Sequence, residues 1–113
     1  FKILALNKKN RLKKKRDFED VFKKGKAVKG SFLFIKYRKN KLGVSRFGFV
    51  VSAKVAKKAV ERNKIRRTLS EAVRDIVDGL DSNDIIVFAT HKITTVPKEG
   101  IVEDFLGVLK KIQ

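Results

Sequence analysis

Arg62, Arg66 and Arg67 recur at helical spacing, with Asn63 and Lys64 between them. Guanidinium forks suit bidentate contact with phosphate and stacking on bases. Asn63 is a poor helix former, and it adds a side chain that both donates and accepts. Phe18 and Phe22 stand four residues apart, on one face of any helix. Two readings of that pair stay open: packing into a core, or stacking on the bases of a single strand. Chemistry by protein side chains has little footing. The chain has no cysteine, its one histidine is His91 between polar residues, and no serine sits in a nucleophile-elbow context. Asp75, Asp78, Asp81 and Asp84 recur every third residue. That spacing is not a calcium loop, and it reads as a solvated acidic border.

The arginines need an element to hold them. Residues 54–74, KVAKKAVERNKIRRTLSEAVR, carry eight Lys/Arg against Glu61 and Glu71 and contain neither Pro nor Gly. The stretch is expected to form a continuous helix to about Asp78, with Gly79 just past its end. At roughly 100° per residue, Ile65, Leu69, Ala72, Val73, Ile76 and Leu80 fall on one arc. Arg62, Asn63, Arg66, Arg67, Ser70 and Arg74 fall on the neighbouring arc, and Glu61, Lys64, Thr68, Glu71 and Asp75 take the far side. A solvated charged face normally opposes the core and mixes signs. A basic row bordering the core is instead suited to be one wall of a groove.

The remaining elements follow from local signals. Residues 2–15 form a basic lead-in anchored by Leu4, Leu6 and Leu12, expected to be extended or loosely packed. RDFEDVFKKG (16–25) reads as a short helix with acids early, lysines late and Gly25 at the stop. Phe18, Val21 and Phe22 share its face. SFLFIKYR (31–38) and SRFGFVVS (45–52) read as strands joined through Asn40 and Gly43, suitable for a hairpin. A short strand at 26–28 precedes them. IIVFA (85–89) is a buried strand, and an amphipathic helix follows Pro97 through Ile101, Phe105, Leu109 and Ile112. The expectation is one α+β domain over residues 1–113, built as a two-layer sandwich.

The charge is the strongest global fact. The formal net charge is +17, and residues 1–74 carry +20 of it while residues 75–113 carry −3. That asymmetry implies a polyanionic partner for one side of the molecule. At 42% hydrophobic residues, the chain is not a disordered basic tail. Its longest apolar runs are about five residues, far below the ~18 a membrane span needs. A basic amphipathic helix on a membrane surface would need bulky apolar residues exposed, whereas Ile65, Leu69 and Ile76 are needed for the core. No signal segment is recognisable, and the opening at Phe1 suggests a trimmed or incomplete start. A cytoplasmic location is expected.

Three stretches in order resemble one family. They are LKKKRDFEDVFKKG (12–25), FGFVVSAK (47–54) and ERNKIRR (61–67) followed by LSEAVR (69–74). Together they resemble the bacterial ribonuclease P protein subunit with its Arg-Asn-Arg motif, over nearly the whole chain. The resemblance implies an αβββαβα order with a mixed sheet and a left-handed βαβ crossover, as in the second domain of ribosomal protein S5. It also implies a non-catalytic subunit of an endoribonuclease whose RNA, with bound Mg²⁺, removes the 5′ leader of precursor tRNA. No cofactor is implied in the protein itself. The implied partners are the ribonuclease P RNA and precursor tRNA, with one protein monomer per RNA. Lys54, Lys58, Arg62, Asn63, Lys64, Arg66, Arg67 and Arg74 match the motif-helix surface that meets RNA. Phe18 and Phe22 match the leader-binding cleft, to which Phe32, Phe34 and Ile35 are candidate contributors from the sheet. The chain departs from the family pattern at Ala53, Ser70 and Ile35, where a Lys, an Arg and an aromatic are frequent. A ribosomal or general RNA-binding protein would share the charge and fold without a role in tRNA processing.

Overall fold

The computed structural model describes residues 6–112, the side chain of Asp78 apart. The elements run α1 (Lys15–Lys24), β1 (Lys26–Lys29), β2 (Leu33–Lys39), β3 (Arg46–Val50), α2 (Ala59–Arg74), β4 (Asn83–Ala89) and α3 (Lys98–Lys110). The order αβββαβα is as expected.

The strands are arranged β1-β2-β4-β3. β1 and β2 pair antiparallel, β2 and β4 antiparallel, and β3 and β4 parallel. The expected hairpin between β2 and β3 is therefore corrected: β4 lies between them. Asn40 shapes the connection, accepting from the Leu42 amide at 2.9 Å and donating to the Val44 carbonyl at 3.1 Å. The Asn40 amide bonds the Ser82 carbonyl, so the chain turns toward β4. β4 is the apolar run IIVFA, and a strand buried on both faces belongs at the centre of a sheet.

Strand alternation divides the core. Leu33 and Ile35, Phe47, and Ile85 and Val87 face α2 and α3, with Leu69, Val73, Ile101, Phe105 and Leu109 closing the main cluster. On the opposite face Ile86 packs with Val21 and Leu12, flanked by Phe18 and Phe88. This smaller cluster seats α1 alone, so part of that face stays open.

Several boundaries differ from the sequence reading. Leu6 and Leu12 are buried, and a short helical turn at Lys8–Asn10 buries Asn10, whose amide donates to the Ser45 carbonyl at 2.9 Å. The lead-in is thus packed from Leu6 onward, with Arg11 bridged to Phe47 along the outer edge of β3; Leu4 lies outside the described residues. The basic helix begins at Ala59 instead of Lys54. Burying Ala56 in the core requires a turn, closed by Val55 and Ala56 amides on the Ser52 carbonyl. The helix ends at Arg74, and Gly79 instead closes a separate short turn. Thr68, expected on the far side, is buried because α3 packs against α2 there; its hydroxyl donates to the Lys64 carbonyl.

Candidate nucleic-acid interface

α1 crosses the strands along one register row. Gly48 of β3, Ile86 of β4 and Lys36 of β2 are neighbours in that row. Phe18 sits on Gly48, where an added Cβ would come within 2.4 Å of the ring. Val21 packs on Ile86, and the Phe22 carbonyl accepts from Lys36 Nζ at 3.1 Å. Gly25 ends the helix for reasons of space, since a Cβ would meet the Tyr37 carbonyl at 2.8 Å.

The rows flanking α1 differ in chemistry. On one side Arg46, Asp84 and Arg38 are register neighbours. Arg46 grips Asp84 with both forks, at 2.8 and 2.6 Å, and reaches Asp17 of α1 at 3.3 Å. Asn40 donates to the same Asp84 carboxylate at 2.8 Å, and Arg38 lies 3.9 Å from Asp20 of α1. The hydrogen bonds to Asp84 hold the Arg46 guanidinium above its ordinary pKa, against the opposing effect of burial. Asp84 is only 9% exposed, which corrects its reading as a solvated border residue. This row is closed by ion pairs that tie α1 to the sheet, a pairing that the sequence reading, which took Asp84 for a border residue, did not make. The available signal was one arginine opening an otherwise apolar strand.

On the other side the row is Val50, Phe88, Phe34 and, on β1, Lys29. Phe34 and Phe88 stack at 4.7 Å with 7° between planes, and Phe22 meets Phe88 edge-on at 6.2 Å. Phe22 is 54% exposed and Val50 37%. Lys36 Nζ lies 3.8 Å from the Phe22 ring centre. The result is an open aromatic floor with α1 as one wall.

Of the candidate cleft residues, Phe22 and Phe34 come together, and Phe18 lies beside them as a packing residue over Gly48. Ile35 does not join them: at 0% exposure it lies in the core beneath α2 and α3. Phe32 packs against that same core, its amide and that of Ser31 held by Asp104 of α3 at 2.8 Å each. Phe88, absent from the sequence-derived candidates, completes the floor.

The basic candidates divide too. Lys54 and Lys58 are exposed but precede α2, with Lys58 at its cap. Arg62 donates to the carbonyls of Ala56 and Lys57 at 2.9 and 2.8 Å, so its guanidinium braces the preceding turn. Asn63, Lys64, Arg67 and Arg74 are exposed, while Arg66 is half-buried and donates to Asn63 Oδ1 at 3.2 Å. Among the described residues no carboxylate lies within 4.0 Å of any of these arginines. Arg66 and Ser70 share a hollow with Phe18, Phe49, Arg11 and Lys13, so the basic row of α2 continues around β3 to the base of α1. Such a surface offers guanidinium groups to phosphates and ring faces to bases.

Known proteins match this chain in sequence and fold. The ribonuclease P family model covers residues 6–113. The chain is 37% identical over 107 residues to the ribonuclease P protein component of Syntrophomonas wolfei, covering 94% of this chain and 89% of that one. It is 39% identical over 99 residues to that of Legionella pneumophila strain Corby, covering 88% and 85%. The RNase P protein of Staphylococcus aureus superposes with a TM-score of 0.87 at 31% identity, covering 92% and 95%. That of Thermotoga maritima gives 0.81 at 32% identity, covering 91% and 97%. The chain belongs to the ribonuclease P protein family.

Proposed function

We propose that the chain acts as the non-catalytic subunit of ribonuclease P, joining the catalytic RNA to the single-stranded 5′ leader of precursor tRNA. The observation that carries this is an open aromatic floor, Phe22, Phe34 and Phe88, on a face that adjoins arginines without carboxylate partners among the described residues. Arg66, Arg67, Arg74 and Lys64 meet phosphates of the catalytic RNA. The aromatic floor stacks leader bases, which suits leaders of varied sequence because every base has a π-face. The protein lowers the repulsion between two polyanions and makes or breaks no bond itself.

Among the described residues no three acidic, histidine or cysteine side chains gather as a metal site. Magnesium belongs to the RNA in this reading. Among the described residues no helix is long and apolar enough to cross a membrane. The protein works in the cytoplasm as one monomer per RNA.

The test is reconstitution with a bacterial ribonuclease P RNA at low Mg²⁺, reading 5′ cleavage of precursor tRNA. Cleavage should be rescued, and log K for the protein–RNA complex should fall with log salt by about 0.7–0.9 per phosphate contacted. No rescue together with a flat salt dependence would overturn the proposal and leave a general basic domain.

A further inference from the structure

The aromatic row has an unfilled end. Phe34 and Phe88 are register neighbours on adjacent strands, and their 4.7 Å stack matches the inter-strand spacing of about 4.8 Å. The stack therefore runs across the strands. Phe88 covers one face of Phe34, and the other face looks toward β1. The residue opposite Phe34 on β1 is Lys29, and directly paired residues point to the same side of a sheet.

Lys29 is exposed, and no carboxylate of the described residues lies within 4.0 Å of it. Asp104, which lines the same edge, has its oxygens committed to the Ser31 and Phe32 amides. Lys36, which also lies near the floor, is engaged already with the ring and carbonyl of Phe22.

We infer that Phe34 and Lys29 form a nucleotide subsite at the β1 end of the cleft: a base stacks on the free face of Phe34 while its phosphate meets the Lys29 ammonium. This rests on the cleft holding single-stranded RNA, and adds where the strand leaves the protein. It runs parallel to α1, across β3, β4 and β2, and exits over the β1 edge. Three inter-strand steps from Val50 to Lys29 span about 14 Å. Lys36 orients Phe22 and makes no phosphate contact of its own.

A lysine on an edge strand also discourages pairing with other chains; that role alone predicts no dependence on leader length. The experiment uses holoenzyme assembled from the full chain and a bacterial ribonuclease P RNA. Equilibrium affinity is read for precursor tRNAs with leaders lengthened one nucleotide at a time, and for mature tRNA. Lys29→Ala should leave short leaders unaffected and weaken longer ones by about three- to tenfold, with the salt slope shallower by about 0.7. Lys29→Arg should bind as the parent does, and Phe34→Leu should show the same length threshold as Lys29→Ala. Equal affinity at every length, or equal losses on mature tRNA, would overturn the subsite. Phe22→Ala separates the two levels. If it discriminates precursor from mature tRNA while Lys29→Ala does not, the subsite alone falls. If neither does, the cleft reading falls with it.

Discussion

Phe22→Ala is the substitution that best divides packing from binding. Burying a phenylalanine fully stabilises by about 1.5–3 kcal/mol, but Phe22 is 54% exposed, so less than half of that is at stake. The ammonium of Lys36 at 3.8 Å adds about 0.5–1 kcal/mol at such an exposed position. The edge-on contact with Phe88 at 6.2 Å adds a similar amount. The variant should therefore lose about 2–3 kcal/mol in urea unfolding and still fold. Stacking of one base is worth about 1–3 kcal/mol, so precursor tRNA should bind about 5- to 150-fold more weakly. Mature tRNA should bind unchanged. Both RNAs would be titrated against the holoenzyme, with the unfolding midpoint measured in parallel. Equal losses on the two RNAs, or a large stability loss with precursor affinity intact, would place Phe22 in the fold and refute the cleft.

Arg46→Ala strands the Asp84 carboxylate beside Asn40 as its one remaining side-chain donor among the described residues, and about 2–3 kcal/mol should be lost in urea unfolding, short of the 3–5 for a fully buried pair. Because Asp84 raises the Arg46 pKa, that contribution should not fade as the pH rises into mildly alkaline buffer. Gly48→Ala drives a methyl into the Phe18 ring and should cost about 1–3 kcal/mol while weakening leader binding, since α1 must shift; an unchanged melting curve would contradict that packing. Arg62→Ala should lose about 1–2 kcal/mol of stability by freeing two carbonyls, whereas Arg67→Ala should stay within about 0.5 kcal/mol of the parent and lose RNA affinity instead; calorimetry and RNA titration read the two apart.

Much of the fold was legible because its signals are local. Acids before lysines around Phe18 and Phe22 marked α1, and the run IIVFA marked a doubly buried strand. Strand order was not legible: Asn40 and Gly43 suit a hairpin equally well whether or not β4 intervenes, and only tertiary packing puts it between β2 and β3. Alternation put Phe34 and Ile35 on opposite faces but carried no sign of which face α2 would cover. Phe32 shares parity with Phe34, yet it precedes β2, and Asp104 from a distant helix holds its backbone aside. The late start of α2 had the same origin. Residues 54–58 contain no breaker, and it is the burial of Ala56 that bends them. Arginine count alone did not separate Arg62, which binds backbone, from Arg67, which is exposed.

The charge and the open aromatic row bear on one another. Phe22, Val50 and the ring faces of Phe34 and Phe88 would, on a neutral protein, be an apolar patch prone to self-association. A net charge of +17 keeps copies apart, at some cost in stability through self-repulsion. Acids among the first 74 residues are few, and Asp17 and Asp20 are spent tying α1 to Arg46 and Arg38. Asp84, from the acidic half, completes that clasp. Asp17, Asp20 and Asp84 therefore fix the wall of the cleft on its closed side. A single-stranded polyanion lying there covers the apolar floor and relieves the repulsion together, whereas an uncharged apolar ligand would relieve only the first. That difference is why added salt should weaken binding of a nucleic acid to this cleft while leaving binding of a neutral aromatic almost unmoved.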